Sequence, residues 1–234
     1  MKRLPVHAAS HAFIKGSSIK KCAARHCGAK WLIKIDIKDF FGSISEIQVY
    51  RVFRSVGYQP LVAFELARLC TITPGERSLR NYLPHWHVRK PNFKIPTYQR
   101  KLLGYLPQGA PTSPNLANLI MLDRDEKLTA LARDFGLNYT RYSDDLCFSS
   151  RKKNFGRNQA EQIIPEVYAI LNKAGYRPNL RKTKIVPPGA KKVVLGLNID
   201  GPRPMLPKET KDRIRQHLYY LEQFGPVQLS LIHI

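Results

Sequence analysis

The sequence predicts an α+β fold with a split β-α-β layout, and three observations carry that prediction. A β-rich run, WLIKIDI at 31–37, stands ahead of two helical stretches. RYSDDLCFSS at 141–150 reads as strand, tight turn and strand, because Tyr142, Leu146, Cys147 and Phe148 suit strands and Asp is a common turn residue. After it come another helical stretch and two β-rich runs, KTKIV and VVLGLNI.

Taken in order, SIKKCAARHCG reads as a short helix ended by Gly28. The strand at 31–37 delivers Asp36 near its C-terminal end. Ser43 and Glu46 have capping-box spacing ahead of IQVYRVFRSVG, a helix stopped at Gly57, and residues 60–70 form a second helix. Residues 73–103 are rich in Pro, Arg, Lys and aromatics without periodicity and read as a long basic loop or insertion. LPQGAPTSP then opens a long helix with Ser113 as N-cap, Pro114 in the first turn and Gly136 past its end. Its apolar positions include Leu116, Leu119, Ile120, Leu128, Leu131 and Phe135. Asp144 and Asp145 sit at the bend of the following hairpin. NQAEQIIPEVYAILNKAG is a helix bent at Pro165, and PKETKDRIRQHLYYLEQFG closes the chain as an amphipathic helix. LSLIHI at 229–234 equals the translation of a transposon-end adapter used in sequencing libraries, so it is set aside and the chain is expected to be a fragment cut within its last helix.

A hydrophobic content of 43% over 234 residues is enough for the core of one or two domains. Lys and Arg number 39 against 17 Asp and Glu, and the resulting net charge of +22 is spread along the chain, which points to nucleic acid as partner. A long uncharged apolar run and a lipidation signal are both missing, which argues against a membrane role. MKRLPVHAASHAF lacks the apolar segment of a secretory signal, so the expected compartment is the cytoplasm. The four cysteines have no CxxC spacing and are expected to be reduced and mostly buried. CAARHC offers Cys22, His26 and Cys27 as zinc-type ligands but no fourth.

In the split layout the strand carrying Asp36 can lie beside the hairpin, gathering Asp36, Asp144 and Asp145 at one end of a sheet. Three converging carboxylates make little sense as a solvated surface in so basic a protein. They make sense as a magnesium site, because Mg²⁺ prefers hard oxygen ligands completed by substrate phosphates. Two such ions about 3.5–4 Å apart stabilise both attacking and leaving oxygens in phosphoryl transfer.

IDIKDFF, LPQGAPTSP, YSDD, the GYRPNLRKTK run and VVLGLNI, in this order over residues 6–224, resemble the successive motifs of reverse transcriptases, particularly the bacterial retron and group II intron types. YSDD alone is a weak signal; LPQGAPTSP followed by RYSDD is a specific one. The chain departs from the retron pattern at Cys22 in CAARH, Leu195 in VLG and Ser17 in KGSS, where Asn, Thr and Arg are usual. The resemblance implies a right-hand polymerase palm: an RRM-like antiparallel sheet with helices on one face, partial fingers and the start of a helical thumb. Residues 1–30 are then partial fingers, and 31–186 are palm with fingers elements and a basic insertion at about 73–103. Residues 187–228 are the palm–thumb junction and the start of the thumb.

The resemblance also implies roles. Asp36, Asp144 and Asp145 hold the metals, with the backbone carbonyl of Ile37 as a further ligand. Phe41 stands where an aromatic would collide with a ribose 2′-hydroxyl, while Phe40 belongs to the core. Gln108 lies near the incoming sugar, and Gly109 lets the backbone approach closely. Lys182 protonates or neutralises the leaving pyrophosphate. Within RNYLPHWHVRKPNFKIPTYQRK, Arg80, Arg89, Lys90 and Lys94 are candidates to track a nucleic-acid backbone while aromatics stack on bases. The implied activity is RNA-directed DNA polymerisation with two Mg²⁺ ions, replaceable by Mn²⁺. Its partners are an RNA template, a DNA or RNA primer, dNTPs and a cognate structured noncoding RNA, with anti-phage defence among the roles it allows. The rivals are a non-catalytic or a maturase-like RNA-binding protein that keeps the fold. Retention of Asp36, Asp144, Asp145, Phe41 and Gln108 together argues against them.

Overall fold

A computed structural model of the chain describes residues 5–73 and 103–229. The elements run α1 (Ile19–Ala24), β1 (Trp31–Lys38), α2 (Glu46–Ser55), α3 (Pro60–Leu69), α4 (Ser113–Asp134), β2 (Asn138–Tyr142) and β3 (Asp145–Ser150). They continue with α5 (Arg157–Lys173), β4 (Arg177–Pro178), β5 (Lys184–Val186), β6 (Val193–Val194), β7 (Leu197–Asn198) and α6 (Lys208–Leu229). None of the described helices is long and apolar enough to cross a membrane.

The main sheet is antiparallel in the order β2-β3-β1-β4, with β5 also pairing with β1. Side chains alternate between the two faces of a strand, and here both faces are covered. Ile33, Ile35 and Ile37 of β1, with Leu146 and Phe148 of β3, join the large core built from α2, α3, α4 and α5. Each such buried side chain stabilises the fold by about 1.5–3 kcal/mol. Leu32 and Cys147 point the other way, into a smaller cluster with Ala23, Cys27, Val194 and Ile199. Asp36 and Asp145 share the parity of Leu32 and Cys147, so both lie on the face away from the large core.

Several boundaries differ from the sequence expectation. The capping box of α2 is formed by Ser45 and Gln48, not Ser43 and Glu46. The Glu46 carboxylate is taken elsewhere, accepting from the Gly104 N–H at 3.0 Å and from Arg68 at 3.4 Å. Ser113 is the first residue of α4 instead of its cap, and its hydroxyl donates to the Pro107 carbonyl at 2.7 Å. Helix α1 stops at Ala24, with Gly28 beyond it donating its N–H to the Ile199 carbonyl at 2.9 Å. VVLGLNI is not one strand but the hairpin β6–β7, turned by Leu195 (φ 49°) and Gly196 (φ 79°). Two positive φ values in a two-residue loop match the right-handed strand twist, and a glycine at one of them removes half of the steric cost. Helix α5 runs continuously through Pro165. The basic stretch, with Arg80, Arg89, Lys90 and Lys94, lies outside the described residues apart from its ends.

Cys22, Cys27 and Cys147 are buried, Cys70 is partly so, and all four are free thiols. His26 is fully buried, its Nδ1 2.7 Å from the Ser149 hydroxyl and its Nε2 2.7 Å from that of Thr140. Both ring nitrogens are thus committed to joining α1's end to β2 and β3. Burial first, then the charges of His11 and Arg151, push its pKa down to about 4. Below pH 6.5 the unfolded chain takes up a proton that the fold refuses until about pH 4, so acid favours unfolding across that window. Between pH 7 and pH 4 the wild-type protein is expected to lose on the order of 3 kcal/mol more stability than His26→Gln, as read by denaturant titration. Parallel pH profiles for the two proteins would refute this.

Candidate active site

Strand register brings the first two acids together. Asp36 of β1 is paired directly with Asp145 of β3. The neighbouring Ile37 N–H donates to the Asp144 carbonyl at 3.0 Å. Asp36–Asp145 is therefore a non-hydrogen-bonded pair, in which the Cα atoms approach to about 4.5 Å. The hairpin tip is Ser143–Asp144, with Ser143 at φ 58°, and Asp145 already belongs to β3. Adjacent residues of a strand face opposite ways, and it is the turn at Asp144 that lets both acids border one space.

The charges respond to this crowding. Burial, then the carboxylates of Asp144 and Asp36, raise the pKa of Asp145, opposed by Lys34 and Lys182. Asp36 is buried, and its carboxylate accepts from the Asn179 amide at 3.0 Å and from the Lys182 ammonium at 3.0 Å. The Asn179 N–H also donates to the Asp36 carbonyl at 2.7 Å. The hydrogen bond to Asp36, then the Coulombic pull of that carboxylate, hold the Lys182 pKa above its ordinary value. The Lys182 side chain is 65% exposed, so this ion pair exchanges its partner at little cost.

Two cavities meet at the turn. One of about 290 Å³ is lined by Lys34, Ile35, Asp36, Asp144, Asp145, Lys182 and Lys184. The other, about 680 Å³, is lined by Phe41, Gln108, Tyr142, Asp144, Asp145 and Leu195 among others. Phe40 is buried, whereas Phe41 is half-buried, its ring centroid 5.4 Å from that of Phe40 and 6.3 Å from that of Phe13. Gln108 is exposed at the cavity rim. Gly109 follows at φ 92°, a conformation that a side chain disfavours, and is not part of the lining. A mostly apolar groove of about 630 Å³ beside Phe53, Tyr58 and Leu116 has no Asp, Glu, His, Lys or Arg among its described lining residues.

The structure thus gathers Asp36, Asp144, Asp145 and Lys182, ties the Ile37 main chain to the turn, and sets Phe41 and Gln108 in the adjoining cavity. Among the described residues, however, no three Asp, Glu, His or Cys side chains form a ready-made metal cage. Lys182 and Asn179 engage the Asp36 oxygens instead. Mg²⁺ does not require such a cage, since it keeps several waters and binds through one or two carboxylates plus phosphates. The donor set is all hard oxygen, and an ammonium already docks on Asp36, so the site suits a cation. Sequence reasoning missed Asn179, Lys34 and the buried group around Arg141.

Comparison with known proteins adds the family. Residues 2–199 match the family "Reverse transcriptase (RNA-dependent DNA polymerase)". The chain is 32% identical over 238 residues to the retron Mx162 reverse transcriptase of Myxococcus xanthus, covering 97% of this chain and 46% of that protein. With the retron Ec86 reverse transcriptase of Escherichia coli the identity is 30%, over 91% of this chain and 56% of the relative. The chain therefore spans about half the length of these relatives. Telomerase from Candida albicans, solved with a fragment of telomeric RNA, shares the fold with a TM-score of 0.53 at 12% identity, over 92% of this chain and 40% of that one. A profile match over most of the chain, together with a sheet that pairs Asp36 with Asp145, places this protein in the reverse transcriptase family.

Proposed function

We propose that the protein is a retron-like RNA-directed DNA polymerase, adding dNTPs to a primer on an RNA template. The observation that supports this most is the Asp36–Asp145 pairing beside Asp144, on a sheet face where two cavities meet. Asp36, Asp144 and Asp145, with the Ile37 carbonyl, are the donors for Mg²⁺. When bound, Mg²⁺ stabilises the charge on the oxygens of phosphoryl transfer. Lys182, 3.0 Å from the Asp36 carboxylate and 65% exposed, protonates or neutralises the departing pyrophosphate. Gln108 orients the sugar at the cavity rim. Residues 31–186 are the palm, 1–30 partial fingers and 187–228 the start of the thumb, and the basic stretch with Arg80, Arg89, Lys90 and Lys94 follows the RNA backbone. The protein works in the cytoplasm with a cognate structured RNA and serves anti-phage defence.

The test is extension of a labelled primer on an RNA template by the full-length protein with Mg²⁺ and dNTPs. Template-complementary DNA is expected; bound template without any extension would overturn the reading. Phe41, half-buried at the cavity wall, sets the preference for dNTPs. Phe41→Ala is expected to raise the relative use of rNTPs by about 10–200-fold, the range for a lost steric contact in a pocket. An unchanged rNTP/dNTP ratio of kcat/KM would move the gate elsewhere.

A further inference from the structure

Under the hairpin that carries Asp144 lies a polar group that the chemistry above does not use. Arg141 and Asp125 form an ion pair in which both side chains are wholly inaccessible to water. The pair is bidentate, with Nε 2.8 Å from Oδ1 and Nη2 2.7 Å from Oδ2. Nη2 also donates to Asn118 Oδ1 at 3.1 Å and to the Ser10 hydroxyl at 3.3 Å. The remaining nitrogen, Nη1, donates to the Ser143 carbonyl at 3.1 Å. Tyr139 adds its hydroxyl to Asp125 Oδ1 at 2.8 Å.

The group ties three separate parts of the chain to the turn. Asp125 and Asn118 come from α4, whereas Arg141 and Tyr139 come from β2. A segment near the N-terminus lies along β2: the Arg141 N–H donates to the Ala9 carbonyl at 2.8 Å, and the His11 N–H donates to the Arg141 carbonyl at 2.9 Å. Asn118 closes the ring by donating to the Ala12 carbonyl at 2.9 Å.

We infer that Arg141, held by Asp125, Asn118 and Ser10, is a positioning residue that sets Asp144 against Asp36 by fixing the Ser143 carbonyl. This rests on the polymerase reading above. Ser143 is buried and takes a positive φ that serine rarely adopts, so its carbonyl needs a partner and its backbone a restraint. The guanidinium supplies both from one rigid plane that α4 has already oriented. Asp144 is the next residue, and its carbonyl accepts from the Ile37 N–H, so a shift of Ser143 moves the acid relative to β1.

The alternative, that the pair only stabilises the fold, is separated by replacing the group with apolar residues. Buried ion pairs exchanged for apolar side chains of similar size often keep or gain stability. The experiment compares full-length wild type with Asp125→Leu/Tyr139→Phe/Arg141→Met, where Tyr139→Phe avoids stranding the hydroxyl. The positioning role predicts a melting temperature lowered by no more than about 2–8 °C, for the one stranded carbonyl, and an unchanged dNTP KM, with kcat for RNA-templated single-nucleotide addition lower by about a hundredfold. It also predicts faster hydrogen exchange at the Ile37 amide, which bonds to Asp144, while the Cys147 and Phe148 amides stay protected. Wild-type kcat and Ile37 protection in a variant that melts within that range would overturn the inference. If the triple variant does not fold, Arg141→Lys decides. It keeps a charge for Asp125 but cannot span to Ser143, so the same losses are expected, and wild-type behaviour refutes the role. Should the wild-type protein itself extend no primer, the polymerase reading falls, and the Ile37 exchange rate still decides whether Arg141 holds the turn.

Discussion

Asp144→Ala is expected to slow dNTP addition by about a thousandfold, the loss of several kcal/mol of charge stabilisation, while leaving RNA affinity nearly unchanged. Asp144 lines both cavities and sits on the hairpin tip, bonded through its carbonyl to β1, so alanine removes one carboxylate without disturbing a packed side chain. On the proposed function RNA is held by phosphate contacts with a chain of net charge +22, and removing one negative charge is not expected to weaken them. Single-turnover incorporation and filter binding on the same preparations separate the two effects. Wild-type incorporation by the variant would remove Asp144 from the chemistry. Equal loss of binding and rate would make it a structural residue.

The second large effect is on stability. Arg141→Met alone strands Asp125 as an uncompensated charge that no water reaches, and breaking a buried pair from one side costs about 3–5 kcal/mol. At about 2–4 °C per kcal/mol for a protein of this size, the melting temperature falls by about 6–20 °C. The exposed pair Lys191–Glu209, 3.7 Å apart, provides the contrast, because Lys191→Ala should change stability by less than about 1 kcal/mol. Denaturant titration of both variants tests the difference. A loss below about 1 kcal/mol for Arg141→Met would mean that Asp125 finds another partner or takes up a proton.

Much of this architecture was legible because it rests on local patterns. β1 and the β2–β3 hairpin follow from runs of strand-forming residues, and α4 from its apolar spacing and flanking Gly136. The three acids and their convergence at one end of the sheet could be read, but the residue-by-residue pairing could not. Whether Asp145 shares a face with Asp36 depends on the β1–β3 register, a contact more than a hundred residues apart in sequence that no local pattern encodes. Asn179 escaped notice for the same reason: a turn asparagine is ordinary until β4 brings it against Asp36. Capping was misread at Ser43 and Ser113 because the spacing rule does not reveal that Glu46 and the Ser113 hydroxyl have tertiary partners. Arg141 looked like one of many basic residues in a basic chain, and only the packing of α4 against β2 makes it a buried one.

On the proposed function, Asp36 and Asp145, brought face to face by the sheet, hold a divalent cation together with the nucleotide. Mn²⁺ binding by full-length protein in the presence of a dNTP, followed by water proton relaxation, tests this without relying on turnover. The expected result is dNTP-dependent Mn²⁺ binding in the wild type and its loss in Asp36→Asn/Asp145→Asn, with melting temperature preserved. Unchanged Mn²⁺ affinity in the folded double variant would contradict it.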